Sequence, residues 1–131
     1  MIVVDTSALV ESLVGKDARA LAVRTVMLDQ TLAAPHGIDL EFAAALRGLA
    51  KGKKIHEKEA ERACSLLGQM PIRRFEHTPL LRRIWQLRHN MWPYDVSFVA
   101  LAELLDAPLV TVDKKFSTVP GLQCEVELIS S

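Results

Sequence analysis

The chain has 131 residues, 50% hydrophobic and 24% charged, with six glycines and six prolines. This length suits one domain of the usual ~100–150 residues, and the composition excludes a disordered tail, a collagen-like repeat and a disulfide scaffold. Sixteen Lys and Arg balance sixteen Asp and Glu, so the total charge of zero argues for neither a nucleic-acid nor a membrane partner.

Ile2-Val3-Val4 is a β-branched run suited to a buried strand. It stops at Asp5-Thr6-Ser7, residue types that favour turns and helix N-caps, so a helix carrying Ala8-Leu9-Val10 and Leu13-Val14 is expected to follow, ending near Gly15. Ala18 to Leu28 repeats apolar residues at helical spacing, and Thr31 to Pro35 is a short second strand candidate closed by proline.

From Leu40 to Lys51, Phe42, Leu46, Leu49 and Ala50 share a face, with Asp39 as the expected cap. A helix from about His56 to Gln69 would bury Ala60, Ala63, Cys64 and Leu67 and form a hairpin with its predecessor. Ile72 to Glu76 is a weak strand candidate, and Pro79 to about His89 reads as one helix. Tyr94 to Leu105 is apolar nearly all round, which predicts burial. Leu109 to Val112 is the second strong strand and ends on Asp113, and Val126 to Ile129 is a last short strand. Strands alternating with helices predict an α/β three-layer sandwich, with a central, mainly parallel sheet of four or five strands in a single domain over residues 1–131.

Cys64 and Cys124 have neither metal-ligand nor redox spacing, so both are expected to be small core residues. The start at Met1 has no basic leader, and no apolar run approaches the roughly 18–20 residues of a membrane span. A cytoplasmic location is the expectation.

Residues just beyond the carboxyl ends of parallel strands converge on one edge of the sheet. Asp5 and Asp113 belong there. Asp95 opens a helix that precedes a strand and so begins near the same edge, and Glu41 lies in the first turn of a helix that follows one. Singly, each acid has a plainer reading as a cap, a turn residue or a partner of the helix dipole. Four acids at one edge would repel, and a divalent cation removes the conflict. All-oxygen ligation points to Mg2+ or Mn2+, which suits metal-assisted phosphodiester hydrolysis. Glu103, about 12 Å further along its helix than Asp95, falls out of reach. His36, His56, His77 and His89 are scattered and are expected in surface or partly buried roles.

A receiver domain would need its acceptor aspartate after a central strand, where Glu76-His77 stands, and a haloacid-dehalogenase-type phosphatase would need an acid where Ser7 stands. A catalytically silent binding module is the remaining reading from another class.

Val3-Val4-Asp5-Thr6-Ser7-Ala8-Leu9, Glu41 with Ala44-Ala45-Leu46-Arg47, Tyr94-Asp95-Val96-Ser97-Phe98 through Glu103, and Pro108-Leu109-Val110-Thr111-Val112-Asp113 resemble, in this order, the PIN-domain nucleases and among them the VapC toxins. The resemblance spans essentially the whole chain. It implies a Mg2+-dependent endoribonuclease whose Asp5, Glu41, Asp95 and Asp113 hold the metal directly or through water, with Ser7 as a hydroxyl that hydrogen-bonds within the acidic site. It further implies a homodimer that cleaves structured RNA such as tRNA or rRNA and is silenced by a VapB-type antitoxin. Some relatives carry another acidic or amide residue after the last aspartate. Lys114-Lys115-Phe116-Ser117 follows here, a departure that bears on a second metal position.

The zero total conceals an asymmetry. Residues 47–88 hold eleven Lys and Arg against four Glu, a local net of +7, and the rest of the chain carries −7. Arg47, Lys51, Lys53 and Lys54 are the candidate RNA-phosphate contacts, with Lys58 further along the hairpin and Arg73, Arg74, Arg82, Arg83 and Arg88 beyond it. Trp85, on the face of Leu81, is expected in core or dimer packing.

Overall fold

A computed structural model describes residues 1–130 of the chain. The elements run β1 (Ile2–Val4), α1 (Thr6–Val14), α2 (Ala18–Met27), β2 (Leu32–Pro35), α3 (Ile38–Lys51), α4 (Glu57–Gln69) and β3 (Ile72–Phe75). A 3-10 turn at Thr78–Leu80 leads into α5 (Leu81–Gln86), followed by α6 (Pro93–Leu105), β4 (Leu109–Thr111), α7 (Lys115–Thr118) and β5 (Val126–Leu128).

The five strands form one sheet in the order β3-β2-β1-β4-β5, and every neighbouring pair is parallel. The chain moves outward from β1 through β2 to β3, then crosses back to place β4 on the other side of β1. Right-handed crossovers in opposite directions put α1–α4 on one face and α5–α7 on the other. The packing of α1 on α2, α3 and α4, and of α5 on α6, agrees with this. The reversal makes the gap between the carboxyl ends of β1 and β4 the topological switch point, where open α/β sheets bind ligands.

The core is built where the sequence pattern predicts it. Val3, Val4, Leu109 and Val110 are fully buried, and so are Ala33 and Ala34, whose side chains point to opposite faces of β2, one of them covered by α6. Val96 to Ala102 are all buried, as the all-round apolar character of α6 requires. Phe42 and Leu46 fix α3 by their inward face.

Several local expectations are corrected. The segment from Pro79 to His89 is not one helix: it winds as the 3-10 turn, gives way to α5 and unwinds at Leu87. Leu80 and Leu87 are both buried, and Asn90 Nδ2 donates to the Pro120 carbonyl at 3.0 Å, so tertiary anchors rather than helical periodicity set the path. Asp39 does not cap α3. The N-cap is Gly37, and Asp39 lies inside the first turn, accepting two hydrogen bonds from Arg74 at 2.7 and 2.8 Å. Cys64 is exposed on α4 and Cys124 half-buried, because the inward positions of α4 belong to Ala63 and Leu67. Trp85 is 67% exposed, with the Arg88 guanidinium 4.2 Å over its ring, and takes no part in the core.

Candidate active site

Three of the four predicted acids, Asp5, Asp95 and Asp113, line one cleft of about 440 Å³ together with Thr6, Ser7 and Lys115. Glu41 reaches the same place from α3: Thr6 Oγ1 donates to Glu41 Oε1 at 3.3 Å, and Asp5 and Asp95 both act on its charge. The switch point explains the convergence. Asp5 directly follows β1, Asp113 lies two residues beyond β4, and Glu41 and Asp95 occupy the first turns of α3 and α6, where a helix dipole favours negative charge.

Asp5 is the most constrained of the four. It caps α1 through Oδ1, which accepts from the Ala8 backbone N–H at 2.9 Å, and the Ser7 hydroxyl reaches the same oxygen at 2.8 Å. The Thr111 hydroxyl donates to Oδ2 at 2.7 Å. Burial pushes the Asp5 carboxyl above its ordinary value, and the hydrogen bonds from Thr111, Ala8 and Ser7 oppose that rise. The hydroxyls are themselves fixed: Ser7 Oγ accepts from the Val112 N–H at 3.2 Å, and Thr111 Oγ1 from the Asp113 N–H at 3.0 Å. Each hydroxyl has one proton and directs it to Asp5, so the 3.1 Å approach of Ser7 Oγ to Thr111 Oγ1 is enforced by their common acceptor. Ser7 thus hydrogen-bonds to an acid of the cleft. Thr111 is a residue that sequence reasoning misses, although the register Val4↔Val110 places it beside Asp5.

Glu41 is half-buried, and its carboxyl is pushed up to about 7, chiefly by burial, with Asp95 and Asp5 adding to the effect and Thr6 and Lys115 opposing it. Lys115 is the second residue without a prior assignment. Its ammonium lies between two of the acids, 3.0 Å from Asp95 Oδ2 and 3.1 Å from Asp113 Oδ2. The only signal in the sequence is the nearness of Lys115 to Asp113, which reads equally well as a surface turn.

The donor set suits a hard divalent cation. It consists of carboxylate and hydroxyl oxygens with no sulfur or imidazole, and a cation, the Lys115 ammonium, already sits between Asp95 and Asp113. Among the described residues, no three His, Cys, Asp or Glu side chains close into a ready-made ligand group. Asp5, Asp95 and Asp113 share a cleft without closing on one another, and Glu41 lines a neighbouring pocket with Gly37, His77 and Tyr94.

The other predicted features divide. Glu103 stays out of the cleft, as expected, accepting from Arg83 at 2.7 and 3.2 Å. Arg83 also donates to the Gly121 carbonyl at 2.6 Å, and Arg74 is bound to Asp39, so these two arginines hold the fold and do not form an open basic face. Lys51, Lys53 and Lys54 line a second, wider cleft of about 890 Å³ with Lys16 and His56, and Glu57 and Glu59 share that lining, Glu59 paired with Lys16 at 3.3 Å. Arg47 is exposed on α3 outside its lining. Two histidines have backbone duties: His77 Nε2 accepts from the Gly37 N–H at 2.9 Å, and His56 caps α4. No helix among the described residues is long and apolar enough to cross a membrane.

Residues 2–122 match the PIN domain family. Ribonuclease VapC1 of Mycobacterium tuberculosis is 41% identical over 128 residues, which cover 97% of this chain and 96% of that protein. Two solved structures share the fold. The crystal structure of Mycobacterium tuberculosis VapC20, described as a sarcin-ricin loop cleaving toxin, matches with a TM-score of 0.69 at 17% identity, covering 90% of this chain and 94% of that one. VapBC2 from Rickettsia felis, solved bound to a DNA fragment from its promoter, matches with a TM-score of 0.69 at 16% identity, covering 99% and 100%. The chain belongs to the PIN-domain family, and within it to the VapC group.

Proposed function

We propose that the protein is a Mg2+-dependent endoribonuclease, the toxin of a toxin–antitoxin pair, which hydrolyses phosphodiester bonds in structured RNA such as tRNA or rRNA. The observation that carries this reading is the convergence of Asp5, Asp95 and Asp113 from three separate elements on one cleft, with Glu41 beside it. The 41% identity to a protein named a ribonuclease supports the reaction class.

Asp5, Asp95, Asp113 and Glu41 are the residues that would hold the cation, Mg2+ or Mn2+. Bound there, it would supply charge neutralisation at the scissile phosphate and a water acidified for attack. The chain's own contribution is positional. The hydroxyls of Ser7 and Thr111 keep Asp5 oriented and oppose the rise that burial imposes on its carboxyl. Glu41 is held in orientation beside the other acids by the Thr6 hydroxyl on its Oε1. Lys51, Lys53 and Lys54, with Arg47 nearby, would hold flanking phosphates along α3.

The partner chemistry follows the same reading. A VapB-type antitoxin would silence the enzyme in the cytoplasm, in keeping with the VapBC2 complex among the structural neighbours. Leu40, Leu81, Trp85 and Tyr94 are large apolar residues left exposed, which supports a homodimer or an antitoxin contact.

Incubating the purified protein with total RNA in Mg2+ or in EDTA tests the proposal. Cleavage that needs Mg2+ and disappears in Asp5→Asn and Asp95→Asn is expected; cleavage indifferent to EDTA or to both substitutions would refute it.

A further inference from the structure

Lys115 is the first residue of α7, and its place is set by its neighbour Phe116, which is buried. Its backbone N–H donates to Asp113 Oδ1 at 3.0 Å while its ammonium contacts Asp113 Oδ2 at 3.1 Å, so one residue occupies both oxygens of that carboxylate. The same ammonium is 3.0 Å from Asp95 Oδ2. The side chain is nevertheless 48% exposed, which leaves it free to swing into solvent while the backbone stays anchored. No other Lys or Arg contacts these acids at ion-pair distance among the described residues.

We propose that Lys115 is a built-in competitor for the metal: its ammonium serves as the counterion of Asp95 and Asp113 in the metal-free protein and must leave when a divalent cation binds. The inference rests on the carboxylate-site reading above. A divalent ion needs the oxygens that Lys115 holds, and a doubly charged cation beside a retained ammonium would repel it at short range. Ejection of Lys115 resolves the conflict and turns its ammonium towards the mouth of the cleft. Metal-free folding and metal affinity are therefore opposed through one side chain. The fold gains a neutralised acid pair in the metal-free state, and binding is weakened by the need to break it.

The test is a Mn2+ titration of the intact protein at fixed pH and ionic strength, followed by the electron paramagnetic resonance signal of free Mn2+, on the wild type, Lys115→Met, Lys115→Gln and Lys115→Arg. Removing a competing unit charge a few ångströms away should tighten Mn2+ binding about tenfold in the Met and Gln variants. The Arg variant should stay near the wild type. In the absence of metal the neutral variants should melt lower than the wild type, and on Mn2+ saturation they should gain more. The Gln variant carries the test if the Met variant does not fold. Equal or weaker Mn2+ binding in the neutral variants would overturn the competitor role while leaving the metal site intact. Absence of Mn2+ binding in every protein, the wild type included, would overturn the carboxylate-site reading and this inference with it.

Discussion

The Thr111 hydroxyl donates to Asp5 Oδ2 at 2.7 Å across 106 positions of sequence, joining the carboxyl ends of β1 and β4 at the switch point of the sheet. Asp5 is buried, so each hydrogen bond it receives replaces water that would otherwise stabilise its charge.

Thr111→Val keeps the shape of the side chain and removes the donor. It should destabilise the protein by about 1–3 kcal/mol, the usual cost of leaving a buried acceptor short of a partner. Asp5 should also become harder to ionise, so the acid limb of the pH–rate profile should move to higher pH. Thr111→Ser, which restores the hydroxyl, should recover most of both effects. Urea denaturation and a pH–rate profile check this together.

Glu41 predicts the sign of a pH dependence. Its carboxyl is raised from 4.5 to about 7 in the folded chain, so between these values the folded state binds more protons than the unfolded one. Stability of the metal-free protein should therefore fall as pH rises through this window, with no further change from this group above it. Asp5 is shifted in the same direction and adds to the trend. Thermal melts in EDTA should show a clearly flatter profile for Glu41→Gln than for the wild type.

Arg83 bridges Glu103 and the Gly121 carbonyl, tying α5 to α6 and to the segment before β5. Arg83→Met should lower stability by about 1–3 kcal/mol, as expected when charged hydrogen bonds are removed and Glu103 keeps only the Gln123 N–H. RNA affinity per folded molecule should not change. Denaturation and filter binding on the same preparation separate the two.

Lys54→Gln should behave in the opposite way, because Lys54 is exposed and lines the cleft beside α3. Its melting temperature should match the wild type within about a degree, surface changes being worth at most ~0.5 kcal/mol. RNA binding should weaken uniformly, and the slope of log affinity against log salt should become shallower by about 0.7–0.9 for a single phosphate that is no longer neutralised.

The strands, the cap at Asp5, the buried helix α6 and the edge position of all four acids are legible because each follows from short-range signals. β-branched runs end at turn formers, apolar residues recur at the helical period, and parallel topology sends strand ends to one edge. What those signals miss is long-range. Asp39 looks like a cap because its residue type suits one, yet Arg74, 35 positions away, claims it once β3 lies beside β2. The expected helix over 79–89 satisfies the periodicity and is nonetheless cut short, since Asn90 and Leu87 are held by contacts the period does not contain. Much of the basic character beyond the hairpin is already committed, Arg74 and Arg83 to carboxylates and Arg88 to Trp85.

The delivery of negative charge to the carboxyl edge is readable from the chain alone, since the parallel direction of the strands and the direction of the helices place the four acids there whatever the details of packing. How that charge is managed depends on the packed molecule. The β1–β4 register set Thr111 on Asp5, and the turn into α7 set the Lys115 ammonium between Asp95 and Asp113. Local pattern governs the direction in which a backbone presents a side chain, whereas a counterion is chosen by proximity in space, which arises only once distant segments have packed.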